Sequence, residues 1–239
     1  MRKLILTAAV LALSAGTALA ADVVRMGTEG AYPPYNFIND KGEVDGFERE
    51  LGDTLCTKAG LTCEWVTNDW DSIIPNLLSG NYDTIIAGMS ITPEREETIM
   101  FSQNYYPPAA SAYAAKTADA DIKGVVAAQV GTIQADHVAK SGATLLEFST
   151  LDDTVAAVKN GEADAVFADK DALAPFVTEG GELVWDGDDV PLGGGIGIGM
   201  RKSDTELKAK FDAVITEMKA DGSLNTMIKK WFGDEAALF

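Results

Sequence analysis

Apolar residues along this chain fall into two alternating patterns: short β-branched runs, and stretches where they return every three or four positions. The first pattern suits buried strands and the second amphipathic helices. Val23 to Thr28 reads as a strand, and Phe47, Leu51 and Leu55 give the next helix its stripe. Cys63 to Thr67 is β-rich, and Ile73, Ile74, Leu77 and Leu78 follow on a short helix that Asp71 is expected to cap and Gly80 to stop. Thr84 to Ala87 is an unbroken run of the kind buried on both faces of a sheet. Beyond it, Thr92-Pro93 reads as a helix start, because threonine caps well and proline fits the first helical position.

After Tyr105-Tyr106-Pro107-Pro108 the series begins again. Val125 to Gln129 is a strand, Gly131-Thr132 opens a helix, Leu145 to Phe148 is a strand, and Leu151, Val155 and Val158 mark a helix before the strand Asp164 to Ala168. Strands alternating with helices predict parallel sheets flanked by helices, and two series with a break predict two lobes. The class is therefore α/β. Lobe 1 is expected to take 21–107 and 198–239 and lobe 2 to take 108–197, with a hinge near 106–110 and 193–198. The glycine-rich stretch Gly193 to Met200 marks the second crossing. Two helices close the chain. One carries Leu207, Phe211, Val214 and Met218, with Ser203 and Glu206 spaced as a capping box, and the other carries Leu224, Met227, Ile228, Trp231 and Phe232.

The first twenty residues change the picture. Arg2 and Lys3, an apolar run of secretory length and Ala18-Leu19-Ala20 predict a signal peptide cleaved before Ala21. No cysteine sits there to carry a lipid, so a free periplasmic protein is expected. That compartment would join the only two cysteines, Cys56 and Cys63, in a local disulfide. Closing so short a loop stabilises by roughly 2–3 kcal/mol. The one histidine, His137, is far from both cysteines and reads as a helix-surface residue, so no metal or other cofactor is expected. A formal charge of −18 argues against nucleic acid and anionic membranes as partners, because both select for basic patches.

In parallel sheets ligands collect outside the carboxyl ends of the strands. Those ends carry Glu29 and Tyr32 after the first strand, Ser90 and Arg95 after the third, Gly131 and Thr132 after the restart, and Asp169 after the last, with Trp70 beside them. Arg95 in a first helical turn, near unpaired amides, suggests an anion site; the alternative is an arginine paired with Glu94, Glu96 or Glu97. Asp169 could accept from an ammonium or cap the helix near Lys170. Tyr32 and Trp70 could sandwich a ligand stem or be plain packing, and Glu29 could face a cation or water. Together the set has the polarity of an amino acid.

The segments GTEGAYPPYNF, DGFERELGDTLC, SITPER, VGT, ADAVFAD and DTELKAKFDAVITEMKADGSLNTMIKKWF resemble, in order and spacing, the polar amino acid group of periplasmic solute-binding proteins of ABC importers. The resemblance covers nearly the whole chain after the leader. It implies two Rossmann-like lobes joined by a two-strand hinge, the type II periplasmic binding protein fold, closing on one amino acid and docking on a membrane permease as a monomer. By position it puts the ligand carboxylate on Arg95, Ser90 and an amide near Thr132, and the ammonium on Asp169, Ser90 and the Gly88 carbonyl. Tyr32 and Trp70 become the aromatic walls. Glu29 falls where relatives that bind arginine, lysine, ornithine or histidine carry an acid, and Cys56–Cys63 matches the disulfide loop of the basic amino acid binders. Gly88 replaces a serine of several relatives, and Gln129 replaces the lysine of a glutamine binder. The implied activity is binding. The competing expectations are a cyclohexadienyl-dehydratase-like enzyme on the same fold, with Glu29 as acid, or a binder of neutral polar amino acids or opines.

Overall fold

The computed structural model describes residues 23–177 and 182–239. The expected leader, 1–20, and the expected new terminus at Ala21 lie outside the described residues.

From Val24–Thr28 (β1) the chain makes three short strands, Ala31–Tyr32 (β2), Asn36–Ile38 (β3) and Val44–Asp45 (β4), which pair as a small antiparallel sheet. Phe47–Ala59 (α1) leads to Cys63–Thr67 (β5), a 3-10 turn at Trp70–Ser72, Ile73–Leu78 (α2), Thr84–Ile85 (β6), Pro93–Thr98 (α3) and Met100–Phe101 (β7). The second series is Ala110–Ala115 (β8), Val125–Gln129 (β9), Ile133–Ser141 (α4), Thr144–Phe148 (β10), Leu151–Asn160 (α5), Ala165–Asp169 (β11) and Lys170–Leu173 (α6), then Val184–Pro191 (β12). Gly199–Met200 (β13), Thr205–Ala220 (α7) and Ser223–Phe232 (α8) finish the fold.

Two five-stranded sheets result, ordered β5-β1-β6-β13-β7 and β10-β9-β11-β8-β12. They are mixed, a departure from the parallel sheets expected. β1 runs parallel to β5 and β6, and β9 to β10 and β11, but β8 and β13 run antiparallel to their neighbours. The reason is topological. β8 and β13 are the strands by which the chain arrives from the other lobe, so each enters at the edge where the βα strands end.

The helices bury most of the faces the pattern predicted; Leu78 of α2, expected on its apolar face, is instead exposed. Phe47, Leu51 and Leu55 are fully buried under α7 and α8, with Phe211, Ile215, Leu224 and Ile228. This core is continuous from one lobe to the other through Tyr35, Tyr105, Tyr106 and Ile196. Phe232 of α8 sits 4.7 Å from the Tyr35 ring and 4.8 Å from the Tyr106 ring, so the last helix packs on the first crossing. Cys56 and Cys63 are bridged, tying the end of α1 to the start of β5.

Two expected caps are not formed. Asp71 lies inside the 3-10 turn and does not cap α2; the turn runs straight into the helix, and the Ile73 amide bonds to the Trp70 carbonyl. Ser203 and Glu206 make no capping box, because α7 starts at Thr205 with Asp204 as its cap residue. The Ser203 hydroxyl donates to Asp204 Oδ1 at 2.9 Å. Thr92 does cap α3, its Oγ1 accepting from the Arg95 amide at 3.2 Å.

Candidate functional site

A cavity lies between the lobes, at the carboxyl ends of β1, β6, β9 and β11. All nine candidate residues line it. From the first lobe come Glu29 after β1, Tyr32 in β2, Trp70 at its 3-10 turn, Gly88 and Ser90 after β6, and Arg95 in α3. From the second come Gln129 at the end of β9, Thr132 capping α4, and Asp169 at the end of β11.

The Arg95 guanidinium is gripped by carbonyls. Nη1 donates to Ser90 O at 2.8 Å and Nη2 to Gly131 O, in the other lobe, at 3.2 Å, not to the glutamates beside it. It lies 5.4 Å from the Trp70 ring, within cation–π range. Burial pulls its pKa below the usual arginine value, and the charge of Asp169 works in the opposite direction. The expectation of free first-turn amides fails: the Arg95 N–H is taken by Thr92, and α3 has only six residues. The anion-binding chemistry here belongs to the side chain.

Asp169 occupies the cap position of α6 but makes no cap bond. Its Oδ2 accepts from the Tyr32 hydroxyl across the lobes at 2.8 Å, and its Oδ1 from Gln134 Nε2 at 2.9 Å. Burial raises its pKa to about 6 against the restraint of these bonds and of Arg95, with Asp171 pushing it further up. Burial and the neighbouring Asp169 carry the Tyr32 phenol well above its ordinary range. Glu29 Oε1 accepts from Gln129 Nε2 at 2.6 Å, a third bond between lobes. Burial lifts Glu29 to about 7; the Gln129 bond opposes this, and Glu48 and Asp69 add to it.

Gly88 holds φ 61°, and a Cβ there would meet the Tyr32 ring at 3.3 Å, so glycine at this position keeps the tyrosine wall close to the loop. The Thr132 hydroxyl accepts from the Ala135 amide at 3.1 Å and donates to Gln129 O at 2.7 Å, so it secures the lobe-two loop. His137 is half-buried against Phe167, with ring centroids 5.1 Å apart, and is not on the open surface as expected. Sequence reading missed three lining residues, Ala87, Ile133 and Gln134. Gln134 orients Asp169 and also donates to Ser111 at 3.0 Å; it lies two residues past the Thr132 cap, the one signal that could have pointed to it.

Two α/β lobes, crossed twice by the chain and facing each other across a polar cavity, define a solute-binding protein of the type II periplasmic binding fold. The chain belongs to the bacterial extracellular solute-binding proteins, family 3, whose model matches residues 24–234. It is similar to the structure of a periplasmic His/Glu/Gln/Arg/opine family-binding protein from Silicibacter pomeroyi in complex with lysine. That match has 72% identity and a TM-score of 0.90, and covers 91% of this chain and 100% of that one. The L-arginine-binding protein of Pseudomonas aeruginosa is 31% identical over 254 residues, with 97% of each chain covered. The histidine-binding periplasmic protein of Escherichia coli (strain K12) is 30% identical over 253 residues, again with 97% of each covered. These relatives are named as binding proteins, not as enzymes.

Proposed function

We propose that this chain is the periplasmic substrate-binding component of an ABC importer and that its ligand is a basic L-amino acid of the arginine, lysine, ornithine or histidine group. In this reading residues 1–20 are a cleaved leader, 21–107 and 198–239 form lobe 1, and 108–197 form lobe 2. Bending near 106–110 and 193–198 opens and closes the cleft, and the closed monomer docks on a membrane permease. Arg95 clamps the ligand carboxylate with a fork of N–H donors, helped by Ser90 and an amide near Thr132. Asp169 takes the α-ammonium with Ser90 and the Gly88 carbonyl, Tyr32 and Trp70 flank the stem, and Glu29 with Gln129 meets the side-chain end.

The observation that carries the proposal is a charge count. Arg95 brings one positive charge to the cavity, and Glu29 and Asp169, once ionised, bring two negative ones. A zwitterion matches Arg95 and Asp169 and leaves Glu29 over, so a ligand with a cationic side chain completes the set. The lysine-bound neighbour and the arginine- and histidine-binding relatives support this choice. Thermal shift against the standard amino acids, ornithine, citrulline, octopine and a prephenate-type cyclic acid tests it. The basic amino acids should raise Tm most, a saturating ligand adding roughly 3–4 kcal/mol of stability. Turnover of the cyclic acid, or a response confined to neutral amino acids, would overturn it.

A further inference from the structure

Under the cavity floor lies an acid that does not line the cavity. Glu48, in the first turn of α1, is 0% exposed. Its Oε1 accepts from the Gly88 amide at 2.7 Å and from the Tyr105 hydroxyl, and its Oε2 accepts from Asn36 Nδ2 at 2.7 Å. Asn36 in turn accepts, through Oδ1, from the Gly30 amide at 2.7 Å. One carboxyl therefore joins the loop after β1, which carries Glu29, to the loop after β6, which carries Gly88. It anchors both to Tyr105, whose amide bonds to Ile196 where the chain crosses between lobes.

The donors are fixed. A peptide N–H cannot reverse, and the Gly30 N–H sets the orientation of the Asn36 amide, so both carboxyl oxygens face donors. An ionised carboxylate satisfies all of them; an amide in its place would turn an NH₂ toward a donor. The α1 N-terminus, where Glu48 sits, favours the negative charge. Burial pushes the Glu48 pKa up and its three hydrogen bonds oppose that rise; in its ionised form Glu48 also acts on Glu29, raising the pKa there. Gly30 and Gly88 both hold left-handed backbone, φ 75° and 61°, so the loops Glu48 clamps are ones that local preference alone does not hold.

We infer that Glu48 is a positioning residue of the ligand site: it fixes the two lobe-one loops that carry Glu29 and Gly88, and its buried negative charge tips the cavity toward cationic ligands. The second half rests on the amino acid-binding reading; the first does not. Glu48→Gln keeps the shape and removes the acceptor charge. In the ligand-free protein its Gly30 and Gly88 amides should exchange with solvent about tenfold faster or more. By calorimetry at about pH 8, where ordinary carboxyls are ionised, lysine should bind roughly a hundredfold more weakly and a neutral ligand such as glutamine about tenfold. Tyr105→Phe is the matched control: it removes a donor from the same oxygen without touching either loop, and should lower Tm while leaving both affinities within about twofold. If Glu48→Gln does not fold, Asn36→Ala cuts the Gly30 arm alone and should speed exchange at Gly30 and not at Gly88. Unchanged exchange with an unchanged lysine-to-glutamine ratio, in a variant that only melts earlier, would overturn the inference. A wild-type protein that binds no amino acid would overturn the reading of the cavity and the charge half with it, while the exchange rates still decide the hold on the loops.

Discussion

The sheet of the first lobe carries a cluster of charge at each end, and the two follow opposite plans. At the end away from the cavity, Asp83 accepts from the Arg25 amide at 3.0 Å, from Arg25 Nε and Nη2 at 3.1 and 3.0 Å, and from Arg201 Nη2 at 2.9 Å, and Arg201 Nε pairs with Asp204 at 2.8 Å. Burial works to raise the Asp83 pKa, but the bonds it accepts outweigh this and hold the carboxyl below its ordinary value. At the cavity end, burial wins, and Glu29 is lifted to about 7. The same physics acts at both ends; the number of cationic partners differs. A cluster whose charges answer one another holds strands in place. A cluster with one acid in excess is built to receive a partner from outside.

Arg95→Ala should have the largest effect. Removing one member of a buried charge pair costs roughly 2–5 kcal/mol in binding, so calorimetry should show affinity for every amino acid falling about thirtyfold or more, with Tm little changed. A loss confined to some ligands would break the assignment of Arg95 to the group all amino acids share. Asp83→Ala should do the converse, lowering unfolding stability by about 2–3 kcal/mol in denaturant melts, between the surface and buried limits, while affinity stays within about twofold. Glu29→Gln should sharpen the contrast most finely, weakening lysine by about 2 kcal/mol and glutamine hardly at all.

The pH dependence follows the same line. Between its ordinary 4.5 and about 7, Glu29 in the folded protein holds a proton that the unfolded chain has lost. Ligand-free stability should therefore fall as pH rises through that window, with Asp169 contributing up to about 6. A cationic ligand requires the ionised form, so lysine affinity should climb over the same range, at most about tenfold per pH unit. Glu29→Gln should flatten both slopes above pH 6. Thermal melts across pH, with and without lysine, read all of these.

Much of the frame was legible because it rests on local signals. Val125 to Gln129 and Cys63 to Thr67 are β-branched enough to name their own bounds, and the Thr92-Pro93 pair marks its helix start unaided. The candidate residues share a cavity because a general rule of parallel sheets brings strand ends together. What escaped was set by tertiary context. β2, β4, β7 and β13 are two residues long, too short to show a period. β8 reads ASAYAA, whose alanines favour no face, and β12 reads VWDGDDVP, whose aspartates look like a loop. The failed caps at Asp71 and Ser203 depended on where the preceding backbone went, and Gln134 acquires its role only when Asp169 arrives from another strand.

The bonds that span the cleft, Gln129 to Glu29, Tyr32 to Asp169 and Arg95 to the Gly131 carbonyl, engage groups that in the proposed reading also serve the bound molecule. An incoming solute must therefore swap partners with the walls, and the tally of polar contacts rises little when it does. Selectivity then comes less from how many bonds a guest forms than from whether its shape and charge let every exchange happen at once. A guest lacking one matching group leaves a wall group stranded, and that penalty is what tells similar solutes apart.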